Sequence, residues 1–320
     1  MKLLTLDTLY YLTGLIIAFI AIRVALDRNH PNRIGSGMFW GIFAVTFLFG
    51  NQIPPLYVGY LVLVMVVLAS IGKVTKSNEK EADVEERAGH AERLKNKVFI
   101  PAILIPLLTV VGTFTLDKIN FGSVLLVDPK KVTLIALGLA MIIATITALR
   151  ITGAKATVPV TEGSRLMQAV GWAVILPQML AALGGIFAKA GIGEVVSGIV
   201  GDILPTQYAF VAVAAYCLGM MLFTIVMGNA FAAFAVITGG IGVPLIVNMH
   251  GGNPAIMAAL GMFAGYCGTL MTPMAANFNI VPAMLLELKD KNAVVKTQLM
   301  TAIPVFIINM LLMYYLVYHF

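Results

Sequence analysis

"MGNAFAAFAVITGGIGVPLI", residues 227–246, lies inside the longest stretch of the chain that carries no Asp, Glu, Lys or Arg, residues 203–286. It is apolar enough for lipid, yet it holds Gly228, Asn229, Thr238, Gly239, Gly240, Gly242 and Pro244. Helix-breaking residues at membrane depth leave backbone N–H and C=O groups unpaired, each costing roughly several kcal/mol in hydrocarbon. Such a segment persists only where it is buried in protein or lines a polar cavity. Its reading therefore decides both the solvent of the fold and the place to look for function.

The rest of the chain agrees on the solvent. Hydrophobic residues make up 60% of it and charged residues 11%, with a mean hydropathy of +0.94, beyond what a water-soluble core requires. Further uncharged runs cover 34–72, 98–116, 132–149 and 297–320, and about 20 apolar residues cross a bilayer as a helix. No alternation over strand-length segments recurs, so a β-barrel is not expected. The composition predicts an all-α polytopic bundle of ten spans: 8–26, 37–53, 56–72, 98–116, 132–149, 167–188, 208–226, 228–248, 254–272 and 301–318. Leu9–Leu26 lacks a strong basic leader and a small-residue cleavage site, and reads as a retained span. Residues 167–202, with Pro177, Gly184, Gly185, Gly191 and Gly193, read either as a broken span or as a re-entrant hairpin.

Charge sets the expected orientation. The segment 73–97 holds seven Lys/Arg and six Asp/Glu and reads as a charged cytoplasmic loop. With the N-terminus outside, sixteen of the 21 Lys and Arg residues fall inside, which favours N-out and C-out in a bacterial inner membrane. The net charge of +6 reflects this distribution rather than nucleic-acid binding. The expected organisation is an N-terminal repeat over 1–72 and 98–150, a cytoplasmic linker over 151–165, and a C-terminal repeat over 166–320. The repeat rests on "FLFGNQIPPLYVGYLVLV" (47–64) against "TIVMGNAFAAFAVITGGI" (224–241), and on "PAILIPLLTVVGT" against "PAIMAALGMFAGYCGT" downstream. In the expected topology the two Gly-Asn pairs face opposite sides, an inverted repeat of the kind alternating-access carriers use.

Two polar clusters are candidates for binding. Gly228-Asn229, echoed by Gly50-Asn51, is expected to interrupt a helix, with the next half starting near Asn229 and ending at Gly239–Pro244. A half-helix beginning there aims N–H groups and a positive dipole end at an anion, while carbonyls freed at its other end, near Thr238 and Gly239, suit Na⁺. "CGTLMTPMAANFNIVP" supplies Thr269, Thr272, Asn277 and Asn279, neutral donors and acceptors for a small anionic substrate. The competing reading is helix packing, with Gly261 and Gly265 as a small-residue pair. Glu194 and Asp202, eight residues apart, are candidates for ion coupling or for a loop surface. Cys217 and Cys267 read as small apolar residues, and no Cys/His spacing supports a metal site. No P-loop, Ser/His or paired intramembrane Asp pattern supports an enzyme.

"ILPQMLAALGGIFAKAGIGEVVSGIVG" followed by "GNAFAAFAVITGGIGVPL" resembles the ion-transporter superfamily, which includes gluconate and C4-dicarboxylate permeases. Over its length, on "GNAFAAFAVITGGIGVP" and "GTLMTPMAANFNIVPAM", the chain resembles domain-of-unknown-function family 979, whose members are described as a subunit of a 5-oxoproline transporter. That resemblance implies a secondary carrier for a small carboxylate with Na⁺ or H⁺, no cofactor beyond the coupling ion, and a second, smaller membrane subunit as partner. A homo-oligomer and a non-transporting accessory role stay open.

Overall fold

The computed structural model describes residues 2–77, 84–121, 124–286 and 288–320. The chain divides into two compact units, Met1–Gly171 and Trp172–Phe320. The all-α expectation holds. Among the described residues, seven helical runs are long and apolar enough to cross a membrane, and three more apolar helices have 16 or 17 residues.

In the first unit, α1 (Leu6–Leu26) and α2 (Arg33–Phe49) form an antiparallel pair. Small residues set its spacing: a Cβ on Gly14 would lie 2.7 Å from Leu48, and one on Gly37 would lie 3.0 Å from Ala25. Phe39 and Trp40 are fully buried beside them, their rings edge to face at 5.2 Å. Gly50 ends α2, and α3 (Pro55–Ser70) returns to the starting end with Pro55 in its first turn, where a missing N–H costs nothing. The end of α3 is fastened to α2 by Asn32, which donates to the Gly72 carbonyl at 3.4 Å, and by Ser36, which donates to that of Lys73 at 3.3 Å.

The charged segment carries an exposed helix, α4 (Val84–Leu94), while 78–83 lies outside the described residues. Helix α5 (Phe99–Thr115) packs chiefly on α6 (Val132–Thr152), and a Cβ on Gly112 would lie 2.8 Å from Ala136. The short helix α7 (Val158–Val170) closes the unit, and the backbone turns sharply at Gly171 (φ 56°, ψ −132°).

One element departs from the all-helical expectation. Strands β1 (Lys2–Leu4), β2 (Asn120–Phe121) and β3 (Val124–Val127) form a sheet in the order β1-β3-β2, with Lys2 parallel to Leu125 and Asn120 antiparallel to it. The sheet fixes the start of α1 and the α5–α6 connection at one end of the unit. The α1–α2 connection, the end of α3, the end of α4 and the end of α6 gather at the other, where Arg93 donates to the Thr152 carbonyl at 3.0 Å. That second end carries Arg28, Arg33, Lys73, Arg93, Lys95, Lys97, Arg150 and Lys155.

The second unit holds α8 (Leu176–Lys189), α9 (Ile192–Ile203), α10 (Ala209–Met227), α11 (Ala230–Ile237), α12 (Pro254–Leu270), the short α13 (Val281–Leu285) and α14 (Ala293–Leu316). Helices α10 and α12 run parallel, with Gly261 against the Tyr216 ring, Gly265 against Met220 and Gly268 against the Met221 carbonyl. Helix α14 runs antiparallel to α12, tied by Asn309 donating to the Leu260 carbonyl (2.9 Å) and by the Asn253 N–H donating to that of Val317 (2.8 Å). Free Cys217 and Cys267 are buried in this core, as their apolar setting predicts.

Candidate functional site

The Gly228-Asn229 pair makes a turn between two helices, not a break within one. Gly228 takes φ +69°, and its N–H closes α10 on the Thr224 carbonyl at 2.7 Å. A Cβ there would meet the Met274 carbonyl at 2.5 Å, so a side chain is excluded by both conformation and space. Asn229 is the N-cap of α11: its Oδ1 accepts from the N–H groups of Phe231 (2.8 Å) and Ala232 (3.4 Å). That oxygen satisfies its own helix.

The helix also does not end where glycine and proline predict. Beyond Ile237 it continues as a π-helix, Thr238–Met249, through Gly239, Gly240, Gly242 and Pro244. Those residues relax the backbone to i→i+5 bonding without stopping it. Ala230–Met249 lies antiparallel to α10, Thr238 shares a 2.9 Å hydrogen bond with the Tyr216 hydroxyl, and Gly240, Ile241 and Gly242 are buried.

The second cluster folds onto its own backbone. Asn279, 1% exposed, donates through Nδ2 to the carbonyls of Thr269 (2.8 Å) and Thr272 (2.6 Å), capping the end of α12. Thr269 donates to the Tyr266 carbonyl at 2.6 Å, and the Thr272 hydroxyl accepts from the Met274 N–H at 3.2 Å. The Asn277 side chain lies outside the described residues. Two buried atoms here lack a partner, Asn279 Oδ1 and Thr224 Oγ1. The Gly228–Met274 contact brings both clusters to one end of the unit.

Gly50 and Asn51 form a turn of the first unit, with Asn51 exposed. Asn51 donates to the Asp7 carboxylate at 2.7 Å, and Gln52 donates to the Tyr11 hydroxyl at 3.2 Å.

The interruption inside a passage lies elsewhere, between α8 and α9. Contacts advance along one neighbour in step: Gly184 on Ala232, Gly193 on Val236 and Gly240, and the Thr206 carbonyl on His250 Nε2 at 2.8 Å. Leu176–Ile203 therefore advances along Ala230–Met249 in one direction, as two helices. With a rise of about 1.5 Å per residue, α8 and α9 are roughly 21 and 18 Å long, each too short to cross alone. The break falls at Ala190-Gly191, with Gly191 at φ +70° and no side chain capping α9.

Gly193 and Gly240 meet backbone to backbone: a Cβ on Gly193 would lie 3.0 Å from the Val236 carbonyl, and one on Gly240 would overlap the Gly193 carbonyl. Gly240 is near the midpoint of Ala230–Met249, so the break stands at mid-depth of the unit. Lys189 and Glu194 flank it, both exposed, and the Glu194 carboxylate lies 3.9 Å from the space beside Gly191. Asp202, in the last turn of α9, is exposed and more than two turns away, so the structure does not join it to Glu194. Lys189 was missed because a span ending at residue 188 puts it just outside. The signal was the Gly191-Ile192-Gly193 sequence that follows it.

Seven helices among the described residues that are long and apolar enough to cross a membrane fit the class of helical membrane proteins. The chain belongs to the family described as "Protein of unknown function (DUF979)", whose model matches residues 7–318. No curated protein and no solved structure matches the chain.

Proposed function

We propose that the chain is a secondary transporter, or the transporting subunit of one, for a small carboxylate, with Na⁺ or H⁺ as the coupling ion. The observation that carries this reading is the break at Ala190-Gly191 against Gly240, where irregular backbone and an uncapped helix start lie at mid-depth of the unit, with Lys189 before it in the chain and Glu194 after it. Lys189 and the first N–H groups of α9 attract the substrate carboxylate, and Glu194 is the carboxylate that takes the coupling ion. The wider resemblance to the ion-transporter superfamily belongs to this proposal, and 5-oxoproline as substrate rests on the family resemblance alone.

The membrane arrangement is part of the same reading. Ten crossings follow from α1, α2, α3, α5, α6, α8 with α9, α10, Ala230–Met249, α12 and α14, with the arginine- and lysine-rich end of the first unit inside. The two Gly-Asn turns mark the proposed inverted repeat. Each joins antiparallel helices within its own unit, although α12 packs on α10 while its counterpart α5 packs on α6.

Uptake of labelled 5-oxoproline into proteoliposomes tests the function, with this chain alone, with a co-purifying smaller subunit, and with Na⁺ replaced by K⁺ or the proton gradient collapsed. Lys189→Gln is expected to abolish uptake. If uptake needs only the smaller subunit and survives Lys189→Gln in the complex, the chain is an accessory subunit and this assignment fails.

A further inference from the structure

The first unit contains a cavity of about 610 Å³ between the last two turns of α1, the residues that follow them, and α7. Its walls change character along α1. Phe19, Ile22 and Leu26 supply the apolar part, while Arg23, Asp27 and Gln168 supply the polar part. Phe19 to Asp27 covers about 12 Å of helix axis, longer than the roughly 5–7 Å of headgroup zone on one side of a bilayer. An occupant that fills it is polar at one end and apolar at the other.

Two acceptors at the polar end have room for further donors, the Gln168 amide oxygen and the Asp27 carboxylate. Gln168 is 4% exposed; its Nε2 donates to Ser164 at 3.1 Å, and its Oε1 is buried without a partner. The Asp27 carboxylate accepts one hydrogen bond, from the Asn29 N–H at 2.9 Å, and forms no ion pair among the described residues. Two acceptors, one of them a carboxylate, call for a positively charged group with several N–H donors. Arg23 supplies the opposite charge one turn deeper, and a guanidinium with five donors serves an acid group in addition to any other contact.

We propose that this cavity binds a zwitterionic phospholipid bearing a primary ammonium. Its phosphate lies on Arg23, its ammonium donates to Asp27 and Gln168, and its acyl chains start along Leu26, Ile22 and Phe19. A choline headgroup has the same charges but no N–H, and a glycerol headgroup has no positive charge, so both leave the acceptors unpaired. The inference rests on the membrane-spanning reading and is independent of what is transported.

The test begins with vesicle flotation of the whole chain, and failure to float overturns both readings. Native mass spectrometry of the delipidated protein then compares phosphatidylethanolamine, phosphatidylcholine and phosphatidylglycerol with identical acyl chains. The expected result is about tenfold stronger retention of the ethanolamine lipid, the equivalent of one hydrogen bond to a charged group. Asp27→Asn and Gln168→Leu are each expected to remove that preference, while retention of the choline lipid stays unchanged. Asp27 follows the end of α1, so its variant reads binding even if Gln168→Leu impairs folding. Equal retention of the three lipids, an unchanged preference in Asp27→Asn, or displacement by millimolar free phosphoethanolamine would each overturn the proposal.

Discussion

A pair of adjacent glycines tests the contact on which the proposed site rests. Gly240 faces α9, where a methyl group would overlap the carbonyl of Gly193, a backbone atom with no side-chain freedom to yield. Gly239, one residue earlier, is exposed and has no atom within 4 Å of a Cβ. Replacing glycine by alanine inside a helix stabilises by about 0.5–1 kcal/mol at both positions. Overpacking at Gly240 opposes this with about 1–3 kcal/mol. The helical term is common to the pair, so Gly240→Ala is expected to be less stable than Gly239→Ala by about 1–3 kcal/mol. Unfolding in mixed detergent micelles, followed by far-ultraviolet circular dichroism, measures that difference. Uptake by Gly240→Ala is expected to fall further than its stability, because α9 must move away from the middle of its neighbour. If Gly240→Ala matches Gly239→Ala in stability, α9 does not lie on Gly240 and the broken passage is misplaced.

Other outcomes follow from the same geometry. Asn229→Ala removes an N-cap and is expected to cost about 1 kcal/mol in stability, with the apparent affinity for substrate unchanged. A large affinity loss in proteoliposome uptake would return Asn229 to the binding site. Gly228→Ala forces a left-handed residue against Met274 and is expected to be the worse of the two by at least about 1 kcal/mol, read by the same unfolding assay. Asn279→Leu strips two carbonyls of their donor and is expected to lower stability by about 2–4 kcal/mol. Thr224→Val, which removes an unpartnered hydroxyl, is expected to be neutral or stabilising. Asp290 accepts from Lys296 at 2.7 Å, which holds its carboxyl below the usual range. Its contribution is therefore present at neutral pH and disappears as pH falls through that lowered value. The group is wholly exposed, so Asp290→Asn is expected to speed amide exchange at Asn292 without moving the unfolding midpoint.

What could be read from the chain was what local chemistry dictates. Asn229 and Asn253 before apolar runs, with Pro254 following the second, mark the starts of Ala230–Met249 and α12. Gly261 and Gly265 announce a close helix contact, and both meet α10, at Tyr216 and Met220. What could not be read depends on the neighbour. Gly239, Gly240 and Pro244 weaken a helix in isolation, but Gly193 of α9 fits against Gly240 and the buried segment keeps its hydrogen bonds in π form. Asn in an apolar run makes Gly228-Asn229 conspicuous, and there the chain turns between two helices. The interruption at Ala190-Gly191 falls within 167–202, where Gly191 and Gly193 already leave a broken span as one of two readings. The sheet β1-β3-β2 was invisible for a different reason: its longest strand has four residues, too few for alternation to show.

The parallel packing of α10 and α12 has an electrostatic consequence. Antiparallel neighbours cancel their peptide dipoles, whereas parallel ones place like ends together, here two carboxyl-terminal ends of about half a negative charge each. Gly268 brings them close enough for a backbone approach, so the repulsion is not relieved by distance. The start of α11 at Ala230 contributes one positive end beside them, and the Asn279 amide adds two N–H donors. The start of α11 and the Asn279 amide thus offset the charge that the helix arrangement itself creates.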